Sequence, residues 1–84
     1  YTPFYGDEKV FSEDDIVKLD IGVHVDGYIA DGAKTVDLSN SYKDLVKAAK
    51  DALNTVIKEI VPPMNVGDMG AIIQEVIESY GYKP

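Results

Sequence analysis

Apolar and polar positions along the chain fall into two regimes. Ile16–Val25 and Tyr28–Leu38 are rich in Ile, Val, Tyr and Thr and are separated by Asp26-Gly27. An Asp-Gly pair between β-prone runs predicts a hairpin, because a type I′ turn needs positive φ at both central residues. From Asn40 onward the period lengthens. Tyr42, Leu45, Val46, Ala49, Ala52, Leu53, Val56, Ile57 and Ile60 recur at three- and four-residue spacing, the stripe of an amphipathic helix. Asn40 or Ser41 is expected to cap its first amides, and Pro62-Pro63 to end it. A second helix is expected behind Asp68 as its cap, with Met69, Ile72, Ile73, Val76, Ile77 and Tyr80 on the apolar face. Gly81 suits its left-handed C′ position. Both stripes are expected to pack as core against a sheet.

Residues 1–15 contain Pro3, Gly6 and the run Ser12-Glu13-Asp14-Asp15. They predict loop, a short strand at 9–11 and a solvated turn before the hairpin. The pattern is α+β, an antiparallel hairpin followed by two amphipathic helices, with no internal repeat and no low-complexity segment.

Length and charge narrow the function classes. The chain has 84 residues, 45% of them hydrophobic, enough for one small unit with a modest core. It has no cysteine, which excludes a disulfide framework and a thiolate zinc site. With 8 Lys plus Arg against 15 Asp plus Glu, the formal charge is −7, a balance that repels phosphate backbones. Charges interrupt every apolar run, so no membrane span is predicted. The opening "YTPFYGDEKV" has neither the basic region nor the apolar run of a signal peptide. Tyr1 at the start and "YGYKP" at the end suggest a piece of a longer protein.

Two carboxylates interrupt the hairpin. If Asp26-Gly27 is a two-residue loop, Val25 faces Tyr28, Gly22 faces Asp31 and Asp20 faces Ala33. Asp20 and Asp31 then project from one face as diagonal neighbours, with Cα atoms roughly 7–8 Å apart. Gly22 and Ala33 leave open space beside them. On a buried or half-buried hairpin two such charges repel, and a divalent cation between them would offset the cost. Two metals roughly 3.5–4 Å apart would do the same. The alternative is that both aspartates face solvent on an open sheet face. His24 lies on the same predicted face, opposite Ile29, and is a possible third ligand. A lone strand histidine is more often hydrogen-bonded or half-exposed, which is the expectation here. An EF-hand loop is excluded, because counting back from Gly27 puts Gly22 where its first acidic ligand belongs. Asp26 serves the turn, and Glu75 and Glu78 are expected on the solvent side of the second helix. No nucleophile–base pair is visible.

"KLDIGVHVDGYIADGAKTV" resembles the hairpin that carries the first two metal ligands of the type 2 methionine aminopeptidases of archaea and eukaryotes. "YTP" at 1–3 resembles the family segment that follows a functional histidine. "DLVKAAKDALNTVIKEI" and "VGDMGAIIQEVIESYGYKP" resemble the two helices that follow. The resemblance covers essentially the whole chain. It implies that residues 1–84 are a first-half fragment of a pita-bread (creatinase/aminopeptidase) catalytic domain. It further implies two divalent ions (Co, Mn, Fe or Zn), Asp20 a terminal ligand of one and Asp31 bridging both. The implied activity removes N-terminal methionine from nascent polypeptides through a metal-activated water, in a cytoplasmic, monomeric parent without nucleic-acid or membrane partners.

Much of the implied site would lie elsewhere. The histidine before Tyr-Thr-Pro falls one residue upstream, and a metal histidine and two glutamates are expected beyond Pro84. This segment would supply two of five ligands and be inactive alone. His24 aligns with a strand position that is not a family ligand. Asp14 stands where relatives commonly place glycine, a turn change that touches no ligand. A proline-directed aminopeptidase or prolidase of the same fold is the first alternative, although such relatives usually carry arginine where Lys34 stands and lack "YTP". The second is a non-catalytic pita-bread protein that binds protein or RNA; such relatives typically lose ligands that are present here.

Overall fold

In the computed structural model, which describes residues 1–84, two strands precede two helices. These are β1 (Ile16–Val25), β2 (Tyr28–Asp37), α1 (Lys43–Glu59) and α2 (Val66–Ser79). The strands pair antiparallel as a two-stranded sheet. The chain divides into two units, Tyr1–Ser41 and Tyr42–Pro84.

In the first unit the turn chemistry acts as the sequence predicts. Asp26 (φ 52°) and Gly27 (φ 85°) both take the left-handed conformation that a type I′ turn demands. The ladder runs without interruption from Val25↔Tyr28 to Ile16↔Asp37. β2 stops one residue short of the expected Leu38, whose amide donates instead to the Asp15 carbonyl at 3.2 Å. The acidic run before β1 is indeed a turn. Asp15 N–H donates to the Ser12 carbonyl at 3.2 Å, and Ser12 N–H donates to Asp15 Oδ2 at 2.8 Å. The expected strand at 9–11 does not form. Lys9 N–H is committed locally to Asp7 Oδ1 at 2.9 Å, and its ammonium sits 4.2 Å above the Tyr1 ring. A three-residue run with no partner strand has nothing to pair with.

In the second unit both helices form, with different caps from those expected. Neither Asn40 nor Ser41 caps α1: Tyr42 is the N-cap residue and makes no side-chain cap bond. Asn40 is left-handed (φ 58°), and the Ser41 amide is held by Ser39 Oγ at 3.1 Å. The chain is therefore still turning at 40–41. α1 ends at Glu59, ahead of Pro62-Pro63. α2 begins before Asp68: Asn65 is its N-cap, accepting the Gly67 amide at 2.8 Å, and Asp68 lies in the first turn. There its charge favours the positive end of the helix dipole. At the other end Gly81 (φ 80°) closes a Schellman motif. Its amide donates to the Glu78 carbonyl at 2.8 Å, and the Tyr82 amide donates to the Ile77 carbonyl at 3.3 Å.

The helices pack on each other through a narrower line than the predicted stripe. Ala48, Ala52 and Val56, spaced by four, are the buried residues of α1. Leu53 (57% exposed) and Ile57 (59% exposed) belong to the predicted stripe but lie outside this contact. The observed packing of α1 is thus helix on helix, and the Leu45–Leu53–Ile57 side of the stripe stays open.

Candidate metal centre

Asp20 is the fifth residue of β1 and Asp31 the fourth of β2. The pairs Gly22↔Asp31 and Asp20↔Ala33 are formed as the two-residue loop requires. Positions 20, 22 and 24 of β1 share a face with 33, 31 and 29 of β2. Both aspartates therefore stand on one face as diagonal neighbours, their Cα atoms roughly 7–8 Å apart.

Hydrogen-bonding parity refines this geometry. The pair flanking a two-residue turn is hydrogen-bonded, and pairs alternate outward from it. Gly22↔Asp31 and Asp20↔Ala33 then fall at non-hydrogen-bonded positions, where facing Cα atoms approach to about 4.5 Å. This explains why a Cβ placed on Gly22 would stand 3.7 Å from Asp31 Oδ1 and 4.0 Å from its Cγ. A side chain at 22 would therefore stand in van der Waals contact with Asp31, and glycine leaves that position vacant.

Of the two readings of this face, the solvent-facing one is observed. Asp20 and Asp31 are exposed, and no residue of the hairpin is fully buried. Their mutual repulsion in this chain is screened by water, so burial does not by itself demand a cation. What the face offers is two hard oxygen donors with free approach. The Lys47–Asp51 salt bridge is on α1 and engages neither aspartate. The pair suits a divalent cation in ligand type and in shared orientation but is too few to fill a coordination shell. No third His, Asp or Glu joins it, and no cluster of three forms anywhere in the chain.

His24 shares the face, but its Nδ1 accepts the Gly27 amide at 3.4 Å. It buttresses the turn, as the hydrogen-bonded reading predicts. Glu75 and Glu78 are exposed on α2, as expected, with Glu78 accepting from Gln74 Nε2 at 2.8 Å.

A polar cluster that sequence reasoning missed joins the helices. Lys47 Nζ donates to Tyr80 Oη at 2.7 Å, and Tyr80 Oη donates to Asp51 Oδ2 at 2.5 Å. Lys47 and Asp51 are also 3.4 Å apart. The Tyr80 bond, reinforced by Asp51, raises the Lys47 pKa above its ordinary 10.5. The Tyr80 bond also holds the Asp51 carboxyl below its ordinary 3.8. The i,i+4 Lys47/Asp51 pair was visible in the sequence; Tyr80, read as apolar face, concealed the third member.

Against known proteins, the sequence matches the family described as metallopeptidase family M24 over residues 1–84. It is 76% identical over all 84 residues to a methionine aminopeptidase of Methanocaldococcus jannaschii and spans 29% of that protein. It is 48% identical over its full length to a methionine aminopeptidase of Archaeoglobus fulgidus, of which it spans 28%. A methionine aminopeptidase 2 of Debaryomyces hansenii is 48% identical over 80 residues, 95% of this chain and 19% of that protein. The chain thus spans less than a third of the relatives it matches. These names lend nothing to the proline-directed or non-catalytic alternatives. No helix is long and apolar enough to cross a membrane.

Proposed function

The chain belongs to metallopeptidase family M24, and we propose that it is a first-half segment of a pita-bread catalytic domain whose parent removes N-terminal methionine from nascent polypeptides. The observation that carries this reading is the 76% identity to a methionine aminopeptidase across all 84 residues. The hairpin register supports it by giving Asp20 and Asp31 a common face. The parent on this reading is a cytoplasmic monomer.

In the proposed site Asp20 and Asp31 would hold the divalent ions, drawn from Co, Mn, Fe or Zn. When bound, such a pair supplies a nucleophilic water at neutral pH and a Lewis acid for the scissile carbonyl. The chain's own task is positional. Two carboxylates on adjacent antiparallel strands are held at a fixed spacing by the ladder, without a flexible loop between donor and scaffold. The Asp26-Gly27 turn sets that spacing, and His24 braces the turn through the Gly27 amide. The remaining ligands come, on this reading, from parts of the polypeptide that the relatives possess beyond the matched span.

Titration of Mn²⁺ or Co²⁺ into the metal-free full-length protein, followed by calorimetry, tests the assignment. Asp20→Ala plus Asp31→Ala is expected to abolish high-affinity binding and methionine release together. Unchanged binding by the double variant would overturn it.

A further inference from the structure

Glycine is a poor choice for the middle of a strand, where it adds entropy cost and no packing. Every other residue of β1 carries a side chain, so Gly22 asks for a reason. Backbone conformation does not supply one: Gly6, Gly27 and Gly81 have positive φ, and Gly22 does not. A bulge does not either, because the ladder is continuous through Gly22↔Asp31.

The remaining candidate is what a side chain there would touch. The neighbours of an added Cβ within 4 Å are Asp31 Oδ1 at 3.7 Å and Asp31 Cγ at 4.0 Å, and nothing else. By contrast, a Cβ on Gly32, the strand glycine on the opposite face, meets nothing within that range.

Resting on the metal reading above, we infer that Gly22 is a positioning residue for Asp31. By lacking a side chain it keeps the Asp31 carboxylate reachable from across the strand pair and leaves its rotamer free to meet a cation. A Cβ alone makes an ordinary contact. Branched γ-carbons at 22 would crowd the same oxygen, displace water from it and exclude a cation from that side. The inference separates two properties that usually move together. Valine is a strong strand former and glycine a weak one, so Gly22→Val favours the fold while it harms the site.

The test is calorimetric titration of MnCl₂ into metal-free full-length protein carrying Gly22→Ala, Gly22→Val or Asp31→Asn, with the thermal midpoint of each metal-free form measured in parallel. Gly22→Val is expected to weaken Mn²⁺ binding about 10-fold or more, the usual effect of disturbing a ligand's support. Its metal-free midpoint should be equal to or above that of the parent, and the affinity of Gly22→Ala should fall between the two. Wild-type affinity in Gly22→Val overturns the inference. So does a lowered metal-free midpoint, which would mean that glycine is needed for packing. Asp31→Asn reports separately: if it binds Mn²⁺ as the parent does, the metal reading itself fails.

Discussion

Asn65 and Asp68 both have the chemistry of a helix cap, and the backbone decides between them. The apolar period of α2 starts at Met69, which draws the eye to Asp68. The helix nevertheless begins three residues earlier, because Val66 and Gly67 can take helical dihedrals and Asn65 Oδ1 lies within 2.8 Å of the Gly67 amide. Asn65→Ala is expected to cost about 1 kcal/mol, the usual loss for a capping oxygen, read as a lower denaturation midpoint in urea. Asp68→Asn should cost less, since it removes only a first-turn charge. The same distinction governs legibility at this scale. Asp20 and Asp31 could be placed on one face from the sequence because strand parity is strict. Caps could not be placed, because several residues near a helix start carry suitable oxygens and only the local dihedrals choose among them.

At the scale of elements, the hairpin was readable almost to the residue, since Asp26-Gly27 determines the turn, the turn the register, and the register the faces. The helix pair was less readable. Periodicity finds an apolar stripe but not which edge of it meets the neighbour: Ala48 lay outside the predicted stripe and is 1% exposed. The Lys47–Tyr80–Asp51 cluster that ties α2 to α1 was equally hidden, as it depends on where the helices cross. It carries a pH prediction. Asp51 is held below 3.8, so its contribution is complete above that value and is lost as pH falls through its lowered pKa. Lys47 is raised above 10.5, so its contribution is complete below that value and is lost as pH rises through its raised pKa. Tyr80→Phe removes both bonds. The thermal midpoint of the variant should lie below that of the parent by a constant amount between these limits, and the gap should narrow beyond either end. The effect will be small, since Lys47 and Asp51 remain largely open to water. Circular-dichroism melts of both proteins at acid, neutral and alkaline pH measure it.

At the scale of the molecule, a chain with a formal charge of −7 has three buried residues, all of them on α1. Its hairpin leaves Ile21 64% and Val23 57% exposed on the face opposite the aspartates. The relatives are more than three times as long, and on the proposed reading the ligands that complete the site come from that further length. The proposed metal site nevertheless makes a prediction about the whole protein's stability. A cation that binds only the folded state stabilises it in proportion to the logarithm of its concentration over Kd, by about 2.7 kcal/mol at 100 times Kd. Without the cation, Asp20 and Asp31 leave like charges on one face, and removing either charge relieves repulsion. Asp20→Asn and Asp31→Asn should therefore melt no lower than the metal-free parent, and Mn²⁺ should raise the parent's midpoint far more than theirs. Chelation of the parent with EDTA should return it to the level of the variants. Melting curves of the full-length proteins with EDTA and with Mn²⁺ measure both effects, and equal Mn²⁺ shifts in all three proteins would refute the assignment of these carboxylates to the metal.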